Sequence, residues 1–222
     1  MKLSRLFQRG AACLCTAALL LGGVAAYAAA PLPERSPAEY AVTNAAPSDS
    51  ELKAALSKFT ITYDRDAAGW QIDSPQEEAS MNKKSCGLYP YMFLQDDSVM
   101  FNMTLTYLGS KQMDLSKVTV TADDQVYTFS CDNIYDGGYD TDLSSWFDIE
   151  LFQLDDDQVS WLSEWLNAKK VTAVFTGKDG STQSYTLTKD NKTAIQEMVT
   201  AYNLITSSTV GQCTPIVASL AK

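Results

Sequence analysis

The sequence predicts an α+β domain in which an antiparallel β-sheet of about eight strands is covered by two main helices and a short N-terminal helix. Three observations lead to this prediction. Apolar and polar residues alternate in a series of short segments, as they do in half-buried strands. Polar turns of a few residues join these segments in pairs, which is typical of hairpins. Helical patterns are few and do not alternate regularly with the strands, so a parallel βαβ fold is disfavoured.

The N-terminus has the pattern of a secretory signal peptide. Lys2, Arg5 and Arg9 precede an apolar run that ends in small residues, and this order predicts a leader at residues 1–28 that is removed on export. The alternative is a membrane anchor that is retained, although the run is shorter than the roughly 20 residues of a spanning helix. Residues 29–48 contain four prolines among alanine and polar residues, and we expect a flexible linker there.

A single globular domain is expected at residues 49–206, followed by a mostly polar tail at residues 207–222. The domain begins with a short helix, because Ser48 and Glu51 match a capping box. The strands that follow form three predicted hairpins, at residues 59–63 with 70–72, 88–94 with 98–108, and 118–121 with 126–130. In the longest of them, one face carries Val99, Phe101, Met103, Leu105 and Tyr107.

The most clearly patterned part of the chain is residues 146–187, where the pattern predicts a strand, a helix, a strand, a turn and a strand in that order. Alternation in the first strand predicts an inward face with Phe147, Ile149 and Leu151. The outward face then carries Trp146, Asp148, Glu150 and Phe152. A helix is expected over about residues 156–168, since an aspartate with Gln158 three residues later approximates a capping box. Lys169 and Lys170 are expected in its last turn, where positive charge is favourable to the helix dipole.

Two further elements complete the domain. Residues 171–175 and 181–187 form a predicted hairpin around an Asp-Gly turn. Apolar residues at helical spacing between Ala194 and Ile205 then predict an amphipathic helix, capped by Thr188 or Asp190.

Charge narrows the range of partners. The chain of 222 residues has a formal net charge of −10. Removing residues 1–28 takes away three positive charges and no negative one, so the mature chain has a net charge of −13. Only Arg35 and Arg65 remain as arginines, and no basic patch is available to neutralise phosphates. Nucleic acid and anionic membrane surfaces are therefore not expected as partners, whereas an extracellular protein or a glycan is.

The chain contains no histidine. This excludes a Ser-His-Asp or Cys-His catalytic unit and any metal site with histidine ligands. No catalytic residue and no cofactor is predicted. A histidine-free carbohydrate-active enzyme is the main catalytic alternative, because Asp148 and Glu150 share one strand face and paired carboxylates cleave glycosidic bonds.

Residues 132–142 are predicted as a loop rich in aspartate, glycine and tyrosine. Its oxygen ligands are suited to calcium, although their spacing does not match an EF-hand, so a calcium-stabilised module is a second alternative. Together with the outward strand face, this loop predicts a binding surface. Its members are Asp136, Tyr139, Asp140, Asp142, Trp146, Asp148 and Glu150.

Three cysteines remain after removal of the leader, namely Cys86, Cys131 and Cys213. In an oxidising compartment an odd number implies one disulfide and one remaining thiol. Three pairings are possible. The prediction favours Cys86 with Cys131, because both flank predicted core strands whereas Cys213 lies in the predicted tail.

The order of strand, aspartate-capped helix and hairpin, followed by the segment LTKDNKTAIQEMVTAYNLI, resembles uncharacterised exported domains of Gram-positive bacteria. The resemblance covers residues 101–205 and rests on core positions, so it implies a fold and a location but no activity. The sequence thus predicts a non-catalytic binding or interaction domain, secreted or associated with the cell envelope, with an unknown ligand.

Overall fold

A computed structural model describes residues 46–76, 86–96, 98–132 and 134–221. The predicted leader and residues 29–45 of the predicted linker lie outside the described residues. The fold class is confirmed, because the chain forms two antiparallel sheets together with helices. No helix in the described ranges is both long and apolar enough to cross a bilayer.

Four helices and ten strands occur in the described part of the chain. The helices are α1 (Asp49–Leu56), α2 (Asp156–Asn167), α3 (Lys189–Thr206) and α4 (Cys213–Leu220). The strands are β1 (Thr60–Asp64), β2 (Gly69–Asp73), β3 (Gly87–Gln95), β4 (Ser98–Gly109), β5 (Leu115–Ala122), β6 (Gln125–Ser130), β7 (Asp136–Asp140), β8 (Ser145–Leu154), β9 (Val171–Gly177) and β10 (Thr182–Thr186).

The strands divide between two sheets. The larger sheet has six strands in the order β1-β2-β3-β4-β8-β7, and the smaller has four in the order β10-β9-β5-β6. All the predicted hairpins form, namely β1 with β2, β3 with β4, β5 with β6 and β9 with β10. Hairpin patterns specify neighbouring strands but not the pairing of β4 with β8 or of β5 with β9, which creates the two sheets.

Strand β4 lies inside the larger sheet, between β3 and β8. Its predicted apolar face is confirmed, since Phe101, Met103, Leu105 and Tyr107 are all buried in the main core. Helix α3 packs on this face, where Phe101 meets Tyr202 edge-on with ring centroids 5.2 Å apart. The core therefore lies between the larger sheet and the helices and smaller sheet that cover it.

Aromatic rings attach helix α2 to the smaller sheet. Phe129 of β6 packs edge-on against Trp165, with ring centroids 6.2 Å apart, and Tyr127 lies 5.1 Å from Trp161. The Tyr127 hydroxyl also donates a hydrogen bond to the carboxylate of Glu164. Buried aromatic pairs of this kind contribute beyond the area that they bury.

The starts of α1, α2 and α3 are those that the sequence predicts. Capping boxes join Ser48 to Glu51 and Asp155 to Gln158, and Thr188 caps α3. The predicted position of two lysines is wrong, because α2 ends before them. The amides of Lys169 and Lys170 instead donate to the carboxylate of Asp123, at 3.1 and 3.0 Å.

The predicted C-terminal tail is wrong, because residues 213–220 form helix α4. Cys213 and Val217 are buried in the main core, and α4 packs against α1. The side-chain amide of Gln212 donates to the Pro47 carbonyl at 2.7 Å, which joins the two ends of the described chain. Helix α4 has only eight residues and no side-chain cap at Gln212, so it lacks the start signal that marks the other helices.

Candidate functional site

Strand β8 carries the two carboxylates that the sequence places on an outward face. Asp148 lies opposite Tyr107 of β4, and Glu150 lies opposite Leu105. Directly opposed residues of an antiparallel pair project from the same face, and Tyr107 and Leu105 belong to the core. Asp148 and Glu150 therefore face the interior, where they are 4% and 7% exposed. The prediction of an outward face for these two carboxylates is wrong.

The pattern of β8 fits either orientation, because both of its faces carry large apolar residues. Phe152 shares the face of Asp148 and packs edge-on against Phe129 of the smaller sheet, with ring centroids 5.4 Å apart. Ile149 is buried on the opposite face. Alternation shows which residues share a face, but the pairing with β4 decides which face meets the core.

Asp148 connects the two sheets. Its Oδ2 accepts a hydrogen bond from the amide of Leu115, the first residue of β5, at 3.0 Å. Burial raises the pKa of Asp148 and the charge of Asp114 raises it further, while backbone hydrogen bonds and the charge of Lys178 act to lower it. Opposite Asp148 stands Gly137, where a Cβ would lie 2.8 Å from Oδ1 of the carboxylate. Glycine therefore leaves room for this buried group.

Cys131 lies beside the buried carboxylates. Burial raises the pKa of its thiol to about 12, and the negative charges of Glu150, Asp132 and Asp148 act in the same direction. The thiolate is the nucleophilic form of cysteine, so a thiol with so high a pKa stays protonated and unreactive at neutral pH. Cys131 is therefore unsuited to nucleophilic catalysis.

The predicted disulfide between Cys86 and Cys131 is absent from the structure, and all three cysteines of the described residues are buried without a disulfide. Cys86 precedes β3 of the larger sheet, whereas Cys131 follows β6 of the smaller one. The Cys86 sulfur hydrogen-bonds with both the amide and the carbonyl of Leu108, at 3.4 Å. Cys213 lies in α4 rather than in a tail.

Strand β7 occupies part of the segment that the sequence predicts as a loop. It pairs antiparallel with β8, from Asp136 opposite Ile149 to Asp140 opposite Ser145, and it is the last strand of the larger sheet. Its sequence, DGGYD, has no apolar alternation because the strand lies at the rim and covers little of the core. Sequence patterns therefore miss it.

Five members of the predicted binding surface lie on β7 and its turn or on the first part of β8. Tyr139 is 52% exposed, and its ring contacts Trp146 with centroids 5.5 Å apart. Asp136 and Asp140 are half-buried on the other face of the strand, and Asp142 is exposed in the following turn. These five residues remain a candidate surface, while Asp148 and Glu150 are separated from it by their burial.

The geometry of residues 132–142 does not favour a calcium site. Within the described residues, no group of three or more aspartate, glutamate or cysteine side chains is arranged to hold a metal ion. Oδ1 of Asp140 accepts a hydrogen bond from the Leu143 amide at 2.8 Å and so stabilises the turn between β7 and β8. Asn133, a member of the predicted calcium loop, lies outside the described residues.

No family model, no curated protein and no solved structure matches this chain. The resemblance to exported domains of Gram-positive bacteria therefore stays a prediction. Functional inference rests on the sequence patterns and on the geometry of the described residues.

Proposed function

We propose that the chain is an exported, non-catalytic domain that binds an extracellular protein or glycan through one end of its larger sheet. We call this region the β7 surface and define it as Asp136, Tyr139, Asp140, Asp142 and Trp146. The observation that carries the proposal is the position of Tyr139, half exposed on an edge strand and in contact with the Trp146 ring. Aromatic side chains held on rigid elements are typical binding anchors, because little conformational entropy is lost when they are covered.

The carbohydrate-active alternative loses its support. A glycosidase needs two carboxyl groups that flank a bond of the substrate, and Asp148 and Glu150 lie in the interior of the fold. The amide of Leu115 already occupies one oxygen of Asp148. Burial of both carboxylates is therefore unfavourable for contact with a sugar.

The export half of the proposal rests on the predicted leader at residues 1–28. Fractionation of cells that express the full chain tests it, and we expect the chain outside the cytoplasm with a mass reduced by the leader. Recovery of the mature-sized or intact chain in the cytoplasm alone would contradict export.

The binding half is tested by presenting the full chain to a glycan array and a peptide array. We expect a set of bound ligands that Y139A loses, because truncating an aromatic anchor removes its contact with the ligand. The matched control is Y63A. Tyr63 is also exposed, at 46%, and its ring contacts that of Trp70. It lies on β1, the edge strand at the other end of the same sheet.

If Y139A and Y63A lose the same bound ligands to the same extent, the ligands do not bind at the β7 surface. An array on which the full chain binds nothing would contradict the binding function itself.

A further inference from the structure

Strand β7 offers its backbone to an added strand. Among the described residues its one neighbour strand is β8, and the far side of an edge strand presents N–H and C=O groups that can pair with another chain. Two of its five residues are glycines, and a Cβ built on Gly138 would meet nothing within 4 Å. The backbone is thus little screened by side chains.

Charge around β7 favours a cationic partner. Two of the five residues of β7 are aspartates, Asp142 follows in the turn to β8, and neither the strand nor this turn contains a lysine or arginine. At the other edge of the larger sheet the charges are mixed, because β1 ends in Asp64 and is flanked by Lys58 and Arg65. The edge strands β6 and β10 of the smaller sheet carry no charged side chain. Complementary charge raises the rate of encounter and excludes partners of like charge. Of the four edge strands, β7 is therefore the one that favours a basic strand.

The same charges oppose pairing with a second copy of the chain. Antiparallel pairing of two β7 strands about Gly138 would place Asp136 of each copy opposite Asp140 of the other. Like charges directly opposite one another destabilise a strand pair, and charged edge strands are a common means of preventing self-association. A second copy is therefore a poor occupant of this edge.

We propose that β7 accepts an extended, lysine- or arginine-rich segment of a partner protein as a seventh strand of the larger sheet. This proposal rests on the proposed binding function and specifies its partner. Asp136 and Asp140 project from one face and Tyr139 from the other, so basic residues at alternate positions face the aspartates while an apolar residue between them meets Tyr139. The backbone hydrogen bonds of the added strand contribute the affinity, and the alternation of basic and apolar side chains contributes the specificity.

The first test uses a blocked peptide of sequence Lys-Val-Lys-Val-Lys-Val-Lys, labelled for fluorescence anisotropy with the full chain. We expect saturable binding that weakens with added salt. D136N/D140N should weaken it about fivefold, the usual effect of removing two partly solvent-screened charges. Asparagine at 140 keeps an acceptor for the Leu143 amide, so the turn is preserved.

The matched control is D66N/D124N, which makes the same change in net charge. Asp66 and Asp124 are exposed in the turns of two other hairpins, and their replacement should leave the affinity unchanged. Equal weakening in both variants would mean that the peptide responds to net charge and would overturn the assigned site.

The second test separates strand addition from simple charge attraction. A probe of the same sequence carries methyl groups on its five central backbone nitrogens and so cannot donate the hydrogen bonds of a β-ladder. We expect it to bind about tenfold more weakly, because a few backbone hydrogen bonds are lost. Amide exchange should slow with the first probe, and not with the second, at the residues of β7 whose N–H groups point away from β8.

Equal affinity of the two probes, or unchanged exchange at β7, would overturn strand addition. So would a concentration-dependent dimer of the chain that protects the same amides. If the arrays yield a ligand that depends on Tyr139 while the basic peptide fails to bind, the binding function stands and the strand-addition proposal falls. If neither experiment detects binding, both proposals fall.

Discussion

At the scale of single residues, Asp148 shows how burial changes the role of a chemically capable group. A carboxylate two residues from another carboxylate is a reasonable catalytic candidate from sequence. In the fold it is 4% exposed and accepts the Leu115 amide at 3.0 Å. A buried hydrogen-bond acceptor satisfies backbone donors at the cost of desolvating its own charge. Asp148 is therefore a structural connection between the sheets.

Replacement of Asp148 is expected to have a pH-dependent effect. Burial raises the pKa of Asp148 above its ordinary value of 3.8, so the folded state favours the protonated acid. Its contribution to stability is complete below pH 3.8 and declines as the pH rises through the raised pKa. D148N keeps an acceptor for Leu115 and has no charge to desolvate. The free energy of unfolding of D148N, relative to the wild type, should therefore increase between pH 4 and pH 7 in urea titrations.

D148A is the control for the hydrogen bond. It leaves the Leu115 amide buried without its acceptor, which costs about 1–3 kcal/mol. We expect this loss at pH 7, where D148N is not destabilised. If D148N and D148A lose the same stability at pH 7, the interpretation of Asp148 as a buried acceptor is incorrect.

Among the secondary-structure elements, local signals in the sequence account for the starts of α1, α2 and α3. Asp155 caps α2 by accepting the Gln158 amide at 2.8 Å, and the Gln158 side chain accepts the Asp155 amide at 3.1 Å. These bonds join residues three apart and need no tertiary contact. Strand β7 is the opposite case, because among the described residues it is a strand through its pairing with β8, which its own sequence does not signal.

Removal of the α2 cap gives a prediction at this scale. D155A should lower the free energy of unfolding by about 1 kcal/mol, since an unsatisfied helix N-terminus typically costs that much. The control is D157A, an exposed acid of the same first turn, which should cost only about 0.3 kcal/mol through the helix dipole. Urea unfolding at neutral pH measures both, and a larger loss in D157A would contradict the assignment of the cap.

At the scale of the whole molecule, the two sheets and the four helices share one core. Helix α4 belongs to that core through Val217, which has no exposed surface. Its packing on α1 brings the C-terminal segment against the first helix of the described chain. The domain thus extends beyond the predicted boundary at residue 206.

A pair of valine substitutions tests this extension. V217A should destabilise the chain by about 2 kcal/mol, because it removes buried methyl groups from a packed core. V210A removes the same groups from a side chain that is 93% exposed and should leave the melting temperature unchanged. Equal stability of the two variants in thermal unfolding would show that the C-terminal segment behaves as a tail.

Local features of the fold can be predicted from the sequence alone. Alternation, turn residues and capping boxes are effects between near neighbours, so the four hairpins, the starts of α1, α2 and α3 and the apolar face of β4 follow from them. The candidate residues on β7 and Trp146 were also found in this way, as a concentration of aspartate and aromatic side chains.

What each of these features packs against depends on the tertiary structure. Asp148 and Glu150 are buried because the register of β8 with β4 places them opposite core residues of β4. The segment DGGYD is a strand because β8 supplies its hydrogen-bonding partner. The tertiary structure also recruits α4 into the core. Each outcome depends on contacts between residues far apart in the chain, and local patterns contain no information about which distant surface will cover a given face.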